Sequence, residues 1–125
     1  MITTDSFHID ALKEIDAISL SEMMLANHHN FKKYFPITLS KNKSVEDSLN
    51  FIEEKNKQNQ AKSEFTFGIK DKLTSKIVGL IIIKEINWET KQGEFAYCLS
   101  AEFENKGWMS RAIALTSKYG FEVLG

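Results

Sequence analysis

The stretch from Glu94 to Ser110 holds the residues whose types and spacing could do chemistry. A strand pattern over Glu94–Ser100 runs into a short polar segment, Glu104-Asn105-Lys106-Gly107, and an amphipathic helical pattern begins directly after it. The first turn of a helix carries unpaired N–H groups and the positive end of the helix dipole. Such a turn binds anions, and phosphates or diphosphates suit it well. Gly107 lacks a Cβ, so a ligand could approach the backbone closely there, and Lys106 adds a positive charge. On spacing alone, a plain strand-to-helix loop with a glycine for turn geometry is the commoner occupant of this pattern. Neither a G-x-x-x-x-G-K-[ST] nor a G-x-G-x-x-G run occurs, so the sequence offers no P-loop and no dinucleotide fingerprint. Cys98 alternates to the face opposite Tyr97 and Leu99, which reads as a small core residue rather than a nucleophile. His28 and His29 are adjacent and cannot form an i, i+4 metal pair; with three His and one Cys, no dedicated metal site is expected.

Several elements must position that junction. Phe7-His8-Ile9-Asp10-Ala11 alternates as a half-buried strand. A helix is predicted from about Asp16 to Ala26, with Asp16 as its cap and Ala17, Leu20 and Met24 on its buried stripe. Asn27-His28-His29-Asn30 interrupts it, and the aromatic group Phe31, Tyr34 and Phe35 follows, closed by Pro36. Ser44 is expected to cap a second helix with Glu46 and Asp47 in its first turn and Val45, Leu49 and Ile52 buried. The polar segment from Glu53 to Lys62 is expected to be a fraying end and a loop. Phe65, Phe67 and Ile69 alternate as a strand, Asp71–Ser75 reads as a turn, and Ile77–Ile86 reads as a strand buried on both faces. With Glu94–Ser100, these make an antiparallel meander. The last helix carries Met109, Ala112, Ile113, Thr116, Tyr119, Gly120 and Val123 at helical spacing. The expected order is β-α-α-β-β-β-α, an α+β layered architecture with helices against a mostly antiparallel sheet.

Composition narrows the functional classes. The chain has 125 residues, 42% apolar, which fits a single domain over 1–125 with one real core. There are 16 basic and 17 acidic side chains, and the only arginine is Arg111. Near-neutral charge and scarce arginine argue against nucleic-acid recognition. The longest apolar run, Ile77–Ile83, is far short of the roughly 20 residues that a membrane span needs. The N-terminus lacks the basic and apolar segments of a secretion signal, and a lone cysteine fits a reducing cytoplasm.

Glu94-Phe95-Ala96-Tyr97-Cys98-Leu99-Ser100 followed by Glu104-Asn105-Lys106-Gly107-Trp108-Met109-Ser110-Arg111-Ala112 resembles motif A of the GNAT superfamily of N-acetyltransferases. The similar branch includes the RimJ/RimL-like ribosomal-protein alanine N-acetyltransferases. Ile77-Val78-Gly79 with its following aliphatic strand, and the order of elements from Phe7 through Phe35-Pro36, resemble that branch too. The likeness implies an α/β/α layered GNAT fold and acetyl-CoA as acetyl donor. It implies that the backbone from Asn105 through Lys106, Gly107, Trp108 and Met109 to Ser110 cradles the diphosphate. Tyr97, Cys98 and Leu99 would pair with the pantetheine arm as with an added strand, and an N–H from that strand would polarise the thioester carbonyl. Gly107 matches the motif's central glycine, whereas Glu104 stands where Gln or Arg is usual. Trp108 either covers the cofactor or packs, and packing is the favoured reading.

The implied reaction is direct acetyl transfer to a primary amine, on the N-terminus of a ribosomal or other protein or on a small molecule. An α-amine has a pKa of roughly 8, so a base is needed near neutral pH. Glu94 is the leading candidate for that base, with a solvated strand-end carboxylate as the equal alternative; Glu85 and Glu89 are weaker candidates. Family members continue beyond this last helix with further strands and a helix, and the group that protonates the leaving thiolate would lie there. The chain is therefore expected to be a shortened form whose Glu94–Ser100 strand has an open edge, which self-association into a homo-oligomer would cover. The alternative function is a non-catalytic GNAT module that binds CoA or only self-associates.

Overall fold

The computed structural model describes residues 2–120 of the chain. Strands β1 (Ile2–Thr3), β2 (Phe7–Ala11), β3 (Phe65–Asp71), β4 (Ile77–Asn87) and β5 (Gln92–Leu99) form one sheet in sequence order, antiparallel throughout. Helices α1 (Ala17–Ala26), α2 (His28–Phe31), α3 (Pro36–Ser40) and α4 (Val45–Ala61) lie between β2 and β3 in the chain, and α5 (Trp108–Tyr119) follows β5. Two cores result. Leu12, Leu20, Met24, Phe31, Phe51 and Ile52 pack on Ile77, Leu80 and Cys98 on one sheet face. Phe7, Ile9, Phe65, Phe67, Ile69, Ile81 and Leu99 pack on Ala112 and its α5 neighbours on the other. This is the expected α/β/α arrangement, with β1 and two short helices added to the predicted order. The expected continuation of the last helix to Val123 lies outside the described residues.

The meander follows from its alternation. Phe65, Phe67 and Ile69 face Ile83, Ile81 and Gly79 across the β3–β4 ladder. The pairing then jumps to Lys70 with Ile77, leaving Val78 as the extra residue of a bulge. The Asp71–Ser75 turn forms as predicted: the Asp71 carboxylate accepts from the Leu73 N–H at 3.3 Å and the Thr74 hydroxyl at 3.1 Å.

Three local expectations change. Asp16 does not cap α1 with its side chain. Its carboxylate accepts the Lys13 N–H at 2.9 Å and meets the Lys70 ammonium at 2.7 Å, so a partner in β3 outcompetes the helix end. The polar segment after Ile52 does not fray, and α4 continues to Ala61 and ends on Lys62 in the left-handed region. Asparagines hold it in place of apolar side chains: Asn56 donates to the Leu12 carbonyl at 2.8 Å, and Asn59 accepts the Thr66 N–H at 2.9 Å. The helix buries Ser48, Phe51 and Ile52 and leaves Val45 42% and Leu49 39% exposed, so only Ile52 of the three predicted core residues is buried. Ser44 caps α4 as expected, accepting the Asp47 N–H at 3.1 Å. Of the aromatic group, Phe31 is buried, Phe35 packs against it partly covered, and Tyr34 is exposed.

Candidate functional site

The β5 strand lies at one edge of the sheet, and among the described residues nothing pairs with its outer side. Its polar groups can be assigned to the two sides from the ladder. The Ser100 N–H donates to the Val78 carbonyl at 2.7 Å, and Leu99 stands opposite Gly79, Cys98 opposite Leu80 and Tyr97 opposite Ile81. Hydrogen-bonded and non-hydrogen-bonded pairs alternate along an antiparallel ladder. Ser100, Cys98 and Ala96 therefore turn their backbone groups toward β4. Phe95, Tyr97 and Leu99 turn theirs outward to the free edge. Two of the three expected strand residues, Tyr97 and Leu99, thus turn N–H and C=O groups to the open edge. Cys98 lies between them with its backbone engaged and its side chain in the core under α1, where burial pushes its thiol up to about 12. That thiol is a packing group at neutral pH.

Beyond Leu99 the chain makes a 3-10 turn over Ala101–Phe103 and then takes two left-handed residues, Asn105 (φ 65°) and Gly107 (φ 75°). Gly107 is the residue that caps α5. A Cβ built on it would meet no atom within 4 Å, so the space above the helix mouth is open. The first helical bond there runs from the Arg111 N–H to the Gly107 carbonyl at 3.2 Å, and no side chain caps the turn. The N–H groups of Trp108, Met109 and Ser110 precede the first such bond and remain available to an anion.

The side chains around this mouth divide by role. Trp108 packs: its ring lies 4.8 Å from Phe103 and 5.3 Å from Phe7, centroid to centroid, which anchors the helix start on the sheet. Met109 packs against the same core. Asn105, Lys106 and Ser110 are exposed, and the Lys106 ammonium sits over the Phe103 ring at 5.3 Å, beside the helix mouth. Glu104 is also exposed. The residues present suit a diphosphate: open space over a glycine, free backbone donors and an exposed cation, with the acid of Glu104 opposing them.

At the opposite end of β5 the β4–β5 hairpin is irregular. Pairing jumps from Lys84 with Glu94 to Asn87 with Gln92, and Glu85 adopts a φ of 51°. A cavity of about 630 Å³ opens between this hairpin and the last turns of α5, walled by Phe65, Ile83, Ile86, Trp88 and Phe95. Glu94 and Glu85 both line it; Glu94 is exposed, and Glu89 does not line it. Thr116 lines it too, and its buried hydroxyl oxygen has no hydrogen-bond partner. Glu94 thus stands at the far end of the free edge from Gly107. The edge between Leu99 and Phe95 rises about 13 Å. The residue that sequence reasoning missed is Asn27, buried and bonded to Ser100 and Ala101. In the sequence, an Asn directly after a predicted helix signals only a break in the pattern.

Among the described residues there is no group of three His, Cys, Asp or Glu side chains able to hold a metal, and no helix long and apolar enough to cross a membrane. Residues 7–125 match the family described as acetyltransferase (GNAT) domain. The ribosomal-protein-S5-alanine acetyltransferase from Vibrio fischeri superimposes with a TM-score of 0.83 at 20% identity, over 98% of this chain and 68% of that one. The microcin C7 self immunity acetyltransferase MccE, solved with acetyl-CoA and AMP, gives 0.81 at 28% identity, over 96% of this chain and 66% of that one. RimL, a ribosomal L7/L12 alpha-N-protein acetyltransferase solved with CoA, gives 0.77 at 18% identity, over 94% and 65%. The chain spans about two thirds of the length of these structures. No curated protein matches the sequence.

Proposed function

Because the chain belongs to the acetyltransferase (GNAT) family, we propose that it transfers acetyl from acetyl-CoA to a primary amine, the α-amine of a protein N-terminus. The observation that carries this reading is the pairing of an open, glycine-capped helix mouth with a free strand edge running from it. Acetyl-CoA supplies an activated acyl carbon on a thiolate leaving group. The N–H groups of Trp108, Met109 and Ser110, with Lys106, hold its diphosphate. The outward N–H and C=O groups of Leu99 and Tyr97 hold the pantetheine amides by strand-like pairing. At the hairpin end of the edge, an outward N–H donates to the thioester oxygen as negative charge grows there. Glu94 takes a proton from the ammonium form of the acceptor, directly or through water, so that its nitrogen lone pair can attack. The N–C bond forms, the C–S bond breaks, and the departing CoA thiolate takes up the proton that the acylated nitrogen loses. The cavity beside Glu94 gives an amine room to approach. The protein-N-terminal acceptor is supported by the named activities of the ribosomal-protein acetyltransferases of like fold.

A second reading is a domain that binds CoA, or only self-associates through the β5 edge, without transfer. Glu104 favours it, because an exposed carboxylate beside the helix mouth opposes a diphosphate. One experiment separates the two. Thermal stability is measured with and without acetyl-CoA, and thiol release is followed with peptides that begin with Ala or Ser. The enzyme gives both a stability shift and release. Glu94→Gln should then keep the shift and lower the release rate about 10²–10⁴-fold. A shift without release supports the binding module, and no shift at millimolar acetyl-CoA refutes both cofactor readings.

A further inference from the structure

We propose that Asn27 is a positioning residue for the loop that grips the diphosphate, a role that rests on the acetyl-CoA reading of that loop. Asn27 ends α1 with a non-helical backbone (φ −110°, ψ 18°) and is only 6% exposed. An Asn side chain has two N–H donors and one carbonyl acceptor. Here the amide nitrogen donates to the Met23 carbonyl at 3.0 Å and to the Ser100 hydroxyl at 3.0 Å. The amide oxygen accepts the Ala101 N–H at 2.9 Å. One side chain therefore ties the end of α1 to the point where β5 stops and the loop begins. A buried amide left with open valences would destabilise the fold, and here both donors and the acceptor are engaged.

The geometry explains why this tie matters for a ligand. Ser100 is held from the sheet side by Val78 and from the helix side by Asn27. After Ala101, the backbone bonds of the loop are local: Phe103 N–H to the Ser100 carbonyl at 2.9 Å, and Glu104 N–H to the Ala101 carbonyl at 3.2 Å. The 3-10 turn thus hangs from Ser100 and Ala101 and delivers the chain to the left-handed pair Asn105 and Gly107. A shift at Ala101 passes through this turn to the N–H groups at the mouth of α5. Asn27 touches neither donor nor acceptor in this arrangement; it acts on the donor through the loop.

The test compares Asn27→Ala, the milder Ser100→Ala, the double variant and a core control, Ile52→Val, in the full chain. The expected result is a rise of about 10-fold in the KM and Kd for acetyl-CoA in Asn27→Ala, with kcat at saturating donor and the acceptor KM little changed. The double variant should lose no more than Asn27→Ala alone, because both ends of one bond are then already gone. Ile52→Val should lower the Tm without raising the donor KM. An unchanged donor KM in both Asn27→Ala and Ser100→Ala, or an equal rise in Ile52→Val, overturns the proposal. Amide exchange without any ligand separates this failure from failure of the acetyl-CoA reading. The N–H groups of Ala101, Phe103 and Glu104 should exchange faster in Asn27→Ala than in the native chain, and unchanged protection there overturns the positioning role whether or not acetyl-CoA binds.

Discussion

Replacing Gly107 tests the diphosphate grip most directly, because two effects of the change can be calculated apart. Gly107 has a φ of 75°. An alanine there carries the left-handed strain of an L-residue, about 1–2 kcal/mol, which corresponds to a Tm loss of about 3–12 °C for a domain of this size. No further steric loss is expected in the free protein, since a Cβ at this position has open space around it. Asparagine tolerates the left-handed region, so Gly107→Asn should cost less than alanine in stability. Yet both substitutions project atoms into the space proposed for the diphosphate. Both should weaken acetyl-CoA by about 10-fold or more, which is about 1.4 kcal/mol or more of binding. Calorimetric titration with acetyl-CoA and thermal unfolding of the free proteins supply the two numbers. If Gly107→Asn keeps native affinity, the ligand does not lie over the helix mouth and the grip is wrong. If affinity falls only in step with Tm across both variants, the loss is one of folding and the reasoning fails as well.

Tyr97→Pro removes an outward N–H proposed to hold the pantetheine arm, at a position where proline leaves the β4 ladder intact; the KM for acetyl-CoA should rise about 10-fold with a small change in Tm, and an unchanged KM would exclude the Tyr97 amide from the site. Gly79→Ala should destabilise by about 1–3 kcal/mol, because its Cβ would lie 2.6 Å from the Cys98 carbonyl oxygen and 3.0 Å from a Leu99 methyl; denaturant unfolding with no loss of midpoint would refute that close approach. Cys98 predicts an alkaline limb: its thiol is raised from 9.0 to about 12 when folded, so the unfolded chain loses its proton first. The associated stability is complete below 9.0 and falls as pH rises toward about 12. Cys98→Ala should flatten that limb, and a folded protein alkylated as fast as the unfolded chain would contradict the burial.

Local signals in the sequence determined the meander and the helix after Gly107. Alternation in Phe65, Phe67 and Ile69, a β-branched run at Ile77–Ile86 and a glycine before an amphipathic segment each report on neighbours a few residues apart. The same kind of signal identified Ser44 as a cap and Ala17, Leu20 and Met24 as a buried stripe. The motif around Gly107 carried the family likeness for the same reason, since its chemistry is the local geometry of one helix end.

Tertiary structure decided what depends on distant partners. Alternation puts Tyr97 and Leu99 on one face, but their outward backbone groups follow from the β4 register, anchored where Ser100 meets Val78. The length of α4 was hidden because asparagines bonded to Leu12 and Thr66 hold it, and such bonds leave no apolar periodicity. Asp16 carries the sequence mark of a helix cap, yet Lys70 of β3 claims its carboxylate. Asn27 read as a helix break until folding brought Ser100 and Ala101 beside it, 73 and 74 residues along the chain. In the last three cases a polar side chain serves a partner that only the folded chain brings within hydrogen-bond range, and the spacing of residues along a sequence holds no record of that distance.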